Sequence, residues 1–131
     1  MKLRLLFLAG VVASLFIVGP VAESVAAPSY ESVVTIRATK PVFHGRVHLR
    51  RAGHHPGLAR PCRTHRRVVL FRHHKGHTHR IDATRTNRLG RWTIRTDPKH
   101  GRYFALAKRR VLPKRGNKVC ERATSRRVEI G

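Results

Sequence analysis

Between Phe43 and Arg50 the chain alternates strictly. Phe43, Gly45, Val47 and Leu49 fall on one side of an extended backbone, and His44, Arg46, His48 and Arg50 fall on the other. No helix of period 3.6 buries such a set on one face, so the segment is a half-buried strand. The same period recurs in Val33–Ala38, Arg67–Arg72, Arg80–Thr86, Arg91–Thr96, Arg102–Lys108 and Arg126–Ile130. Turn signals separate them: Gly76 in His73–Thr78, Asn87–Gly90, Asp97–Gly101 and Lys114–Lys118. Ala52–Pro61, rich in Gly and Pro, reads as a loop. Seven strands with one apolar face each, and no helical period after the first 26 residues, predict an all-β domain. The expected architecture is a single antiparallel seven-stranded β-sandwich spanning residues 33–131, preceded by a short polar leader at 27–32. Its expected core is Phe43, Val47, Leu49, Val68, Leu70, Ile81, Trp92, Ile94, Tyr103, Val128 and Ile130.

Residues 1–26 have a different character. Lys2 and Arg4 precede fourteen uncharged residues, Leu5–Val18, and Gly19-Pro20 then breaks the run before a small-residue stretch ending at Ala26-Ala27. This is the order of a cleavable secretory signal peptide with a helical apolar segment. A retained anchor is the competing reading, but fourteen residues span about 21 Å as a helix against a hydrocarbon core of roughly 30 Å. Cleavage is expected after Ala26 or Ala27, leaving a secreted, extracellular protein with no membrane span. A cut at 26 removes Lys2, Arg4 and Glu23 and leaves a net charge of +22 on 105 residues.

Export gives the cysteines their meaning. Cys62 and Cys120 are the two cysteines of the chain, 58 residues apart, with no CxxC pair to form a thiolate metal site. In an oxidising compartment a distant pair reads as one disulfide, two free thiols being the alternative. A thin core carrying so much like charge is expected to need that crosslink.

The full chain has 29 Lys and Arg against 6 Asp and Glu, a formal net charge of +23. Such an excess points to polyanions or an anionic surface. Arg46, Arg50, Arg91 and Arg95 occupy outward strand positions and are the candidate polyanion-binding residues. A solvated basic face without a ligand is the bland alternative. Specific nucleic-acid recognition is not expected, because the few aromatics are wanted by the core and no finger spacing or recognition helix is present. His73, His74, His77 and His79 are weak metal candidates, since Arg72, Lys75 and Arg80 beside them repel a dication; neither a metal nor a cofactor is predicted. The five acids left after cleavage are scattered at 31, 82, 97, 121 and 129, and no nucleophile elbow, phosphate loop or dinucleotide fingerprint appears. An enzyme is not expected. A membrane-active toxin would want an amphipathic basic helix, which the sequence lacks.

Two segments carry a family resemblance. Thr86-Asn87-Arg88-Leu89-Gly90-Arg91-Trp92-Thr93-Ile94, followed by Gly101-Arg102-Tyr103-Phe104-Ala105-Leu106-Ala107, resembles the hairpin and next strand of carboxypeptidase-regulatory-like domains. These are prealbumin-like (transthyretin-like) β-sandwiches, similar in shape to starch-binding modules; small exported bacterial proteins of unassigned function look alike. The resemblance implies a non-catalytic module for adhesion, carbohydrate contact or support, and it transfers no catalytic residue. Function is therefore expected to be non-catalytic binding of anionic polymers or the cell envelope. A carbohydrate-binding module is the alternative, which would require Phe71, Phe104 or Trp92 to be exposed as a platform.

Overall fold

The structure is a computed structural model that describes Gly19 and residues 27–131. The predicted signal peptide lies almost wholly outside the described residues. In chain order the elements are β1 (Ser29–Tyr30), β2 (Ser32–Val34), β3 (Arg37–Thr39), β4 (Val42–Leu49), α1 (Pro56–Arg63), β5 (Arg67–His74), β6 (His77–Arg85), β7 (Arg91–Arg95), β8 (Gly101–Ala107), β9 (Arg110–Leu112), β10 (Lys118–Cys120), β11 (Ala123–Thr124) and β12 (Val128–Ile130). The protein is mostly β, and its pairings are antiparallel apart from that of β1 with β10.

β4 is the spine of the first sheet. β2 and β3 run along one of its edges and β7 along the other. β2 and β3 keep the same register against β4 and break at Thr35–Ile36. There the Arg46 N–H donates to Thr35 Oγ1 at 2.9 Å, while the Thr35 N–H donates to the Arg46 carbonyl at 2.8 Å. The Trp92 indole N–H reaches the Thr35 carbonyl at 3.2 Å. Gly45 makes this possible: a Cβ there would sit 1.9 Å from that same carbonyl oxygen.

The second sheet places β5 between β6 and β8, with β11 and β12 on the far side of β8. β5 and β6 meet at the two-residue turn Lys75-Gly76, where φ is 48° and 75°; paired positive values suit a tight hairpin and favour Gly at the second position. The inward faces of the two sheets share one core, with Val34, Ile36, Phe43, Val47, Trp92 and Ile94 against Val68, Leu70, Tyr103, Ala105, Ala107 and Ile130. Phe43 and Tyr103 stack across it, centroids 4.6 Å apart. The Tyr103 hydroxyl donates to the Lys99 carbonyl and accepts from the Lys99 N–H, fixing the turn before its own strand.

Three sequence expectations change. The segment read as a loop at Ala52–Pro61 holds a 3-10 turn at Ala52–His54 and then α1, whose Leu58 and Cys62 lie one turn apart on its buried face. The leader at 27–32 is part of the sheets: β1 pairs with β10, and β2 begins at Ser32. The stretch around Asn87–Gly90, expected as a hairpin, hands the chain from one sheet to the other, because β6 pairs with β5 and β7 with β4. Its side chains still serve the turn. Asn87 Oδ1 accepts the N–H groups of Leu89 and Arg91, and Gly90, at φ 79°, sits where a Cβ would approach the Val47 carbonyl to 2.3 Å.

A small third sheet, β1-β10-β9, closes with α1 over a second core of Leu49, Leu58, Leu112 and the cystine. Cys62 and Cys120 are bonded, their Cα atoms 5.5 Å apart.

Candidate functional site

The alternation of β4 and β7 points Phe43, Val47, Trp92 and Ile94 inward and sends their neighbours out. On the outward face Arg46 stands directly opposite Arg91. One row along, His44 lies between Arg37 of β3 and Thr93 of β7; a further row places Val42 opposite Arg95. Arg37, Arg46, Arg91 and Arg95 are exposed. The face holds an open groove of about 670 Å³ bordered by Thr35, Arg37, His44, Arg46, Arg91 and Thr93. The His44 ring is held by a 3.2 Å hydrogen bond between Nε2 and Thr39 Oγ1.

Three of the four arginines singled out from the sequence thus share one sheet face, and Arg50 does not join them. It lies past the end of β4, where its guanidinium pairs with Glu31 at 3.0 Å, the one ion pair among the described residues. Both partners are largely exposed, so the pair adds little stability.

Other cationic clusters are committed elsewhere. A groove of about 530 Å³ runs beside α1 and is bordered by Arg60, Arg110 and Arg115. The Arg110 guanidinium there donates to the Pro61 and Thr64 carbonyls and so closes the helix end. At the β5–β6 hairpin His74 stands opposite His77, with His79 next along that face, while His73 stands opposite Thr78. His73 Nδ1 shares a 2.9 Å hydrogen bond with Thr78 Oγ1, and the His77 and His79 rings lie 6.3 Å apart. Among the described residues no group of three or more His, Cys, Asp or Glu is placed to hold a metal ion.

The aromatic candidates divide between the two sheets. Trp92 is 2% exposed and belongs to the core. Phe71 and Phe104 are half-buried on the outer face of the second sheet and stack on each other, centroids 5.3 Å apart and planes 17° apart. Each ring therefore covers part of a face of the other. The Arg127 guanidinium lies 5.5 Å from the Phe104 centroid.

Nothing in the residue pattern singles out Arg66. It is fully buried with no ion-pair partner among the described residues. Its guanidinium donates to the Cys62, Lys108 and Glu121 carbonyls and to Ser32 Oγ. With every donor engaged, it is a structural node and not a receptor for a ligand. Burial, then the nearby Arg110 charge, lowers its pKa to about 10, which leaves it protonated at neutral pH.

No protein-family model, curated protein or solved structure matches the chain. Among the described residues no helix is long and apolar enough to cross a membrane.

Proposed function

We propose that this chain is an exported, strongly cationic β-sandwich domain that acts without catalysis by binding anionic polymers of a cell surface or matrix. The observation that carries the reading is the outward face of β4 and β7, where Arg46, Arg91 and Arg95 lie together with Arg37. None of the four has an ion-pair partner among the described residues. The high charge draws polyanions over a long range, and this face gives them somewhere to settle. Counting β2 with β3 and β11 with β12 as single arms, three arms face four, which supports a seven-stranded sandwich of the prealbumin-like kind. The apolar run before Gly19 and the bonded cysteines support export. N-terminal sequencing of protein recovered from the medium should then begin at Ala27 or Pro28.

Carbohydrate recognition is the second reading, and it would use the outer faces that the half-buried, mutually stacked Phe71–Phe104 pair leaves open. Titration against heparin and against a neutral polysaccharide at low and physiological salt separates the two. Charge-driven binding predicts heparin affinity that falls by orders of magnitude as salt rises, through counterion release. Salt-independent binding to the neutral polymer alone would replace it with the sugar-binding reading.

A further inference from the structure

We infer that Arg46 and Arg91 form a seat for the tetrahedral head of a sulfate or phosphate monoester borne by a polymer. The inference rests on the polyanion reading and names the group that this face would take.

The two arginines are directly opposed across β4 and β7. Side chains so placed leave the sheet about 5 Å apart, and like charges directly opposite each other destabilise the pairing. Among the described residues no acid relieves them: Glu31 pairs with Arg50, and Asp97, two residues beyond Arg95, forms no ion pair. The backbone beneath is fixed. Arg46 is tied to Thr35 through both its N–H and its carbonyl, and the Trp92 indole holds the Thr35 carbonyl from below. The two guanidiniums therefore start from a rigid base, and an anion that bridges them removes a repulsion already present in the fold.

The number of oxygens decides which anion. Each guanidinium presents a planar fork that takes two oxygens. A carboxylate has two oxygens and satisfies one fork. A sulfate or phosphate monoester has three terminal oxygens, so two forks can each take a pair while sharing one. Thr93, exposed two residues along β7, adds a hydroxyl, and Arg37 and His44 continue the groove along the polymer.

Three dextrans of matched charge density test the seat: dextran sulfate, phosphorylated dextran carrying monoesters, and carboxymethyl dextran. The full mature protein should bind at least one ester polymer about tenfold more tightly than the carboxylate polymer. Whichever ester holds the preference identifies the source of the oxyanion. The R46Q/R91Q variant should lose that preference, whereas R102Q/R122Q, which removes the same charge from exposed sites off this face, should weaken all three polymers together and keep it. Inorganic sulfate should also raise the melting temperature of the wild type more than that of R46Q/R91Q. Equal wild-type affinity for ester and carboxylate polymers, or a preference that survives in R46Q/R91Q, would overturn the seat while leaving charge-driven binding intact. Failure to bind any of the three at low salt would overturn both.

Discussion

Arg66 carries a positive charge into the interior with no ion-pair partner among the described residues, and it survives there because backbone carbonyls and the Ser32 hydroxyl answer every donor. The carbonyls it holds lie at the end of α1, just beyond β8 and just after Cys120, so one side chain joins three parts of the chain. Truncation would leave those carbonyls buried without partners. Arg66→Ala should cost about 3–5 kcal/mol, and Arg66→Lys somewhat less because a point charge cannot span the fork's acceptors. Urea denaturation reads both, and an Arg66→Ala protein with an unchanged midpoint would show that the interior can do without the node. Because the Arg66 pKa remains near 10, it adds no pH dependence in the neutral range. His74 does. Partial burial first, then Arg72, Lys75, His100 and His73, hold it below its usual 6.5. Folded, it binds fewer protons than unfolded, so its contribution is complete above pH 6.5 and declines as pH falls below that value. Melting temperature should drop between neutral and mildly acidic pH, and His74→Asn should flatten the slope. An unaltered slope would assign the acid sensitivity to other groups.

At the level of elements, β4 was legible because burial on one face writes itself into alternate residues. The same parity found Arg46, Arg91 and Arg95, since outward positions on paired strands share a face. Arg50 has the right parity as well, but the register of β2 against β4 sets it opposite Glu31, which only the fold decides. α1 was hidden because Gly57 and the interior Pro61 argue against a helix, and a short helix has little stability of its own. It is held instead by the cystine on its inner face and by Arg66 and Arg110 at its end. β9 and β10, three residues each, are too short to show a period. The seam between β2 and β3 shows how closely the parts of the first sheet are fitted. Adding a methyl at Gly45 would drive it into the Thr35 carbonyl and crowd the Trp92 indole nitrogen, 2.9 Å away. Gly45→Ala should cost about 2 kcal/mol through backbone displacement, with a matching loss of Trp92 fluorescence shift at partial denaturation. A stability unchanged by the substitution would mean that the seam yields freely.

Over the whole molecule two effects oppose each other. A net charge of +23 makes the compact state repel itself, and among the described residues one exposed ion pair offers relief. Against this stand two cores, the second of which holds a cystine that bridges a sequence separation of 58 residues. On the chain-entropy account, closing such a loop stabilises by about 4 kcal/mol, a large share of the net stability of a small domain. The cystine also lies inside the second core, so it restrains α1 directly against β10 while it limits the unfolded chain. Self-repulsion among exposed cations weakens with salt, because the screening length shrinks from about 30 Å at 0.01 M to about 10 Å at 0.1 M. The crosslink does not depend on salt. Replacing both cysteines with serine should therefore lower stability by about 4 kcal/mol and leave a protein whose folding depends strongly on ionic strength. Sodium chloride, which offers no multivalent anion to bind the arginine face, should raise the melting temperature of both forms. In the cystine-free form the increase should mark the difference between an unfolded chain at low salt and a folded one at high salt. Circular dichroism melts across that range decide the matter. If neither form responds to salt, self-repulsion is not a significant term in the stability of this fold, and the disulfide serves the second core alone.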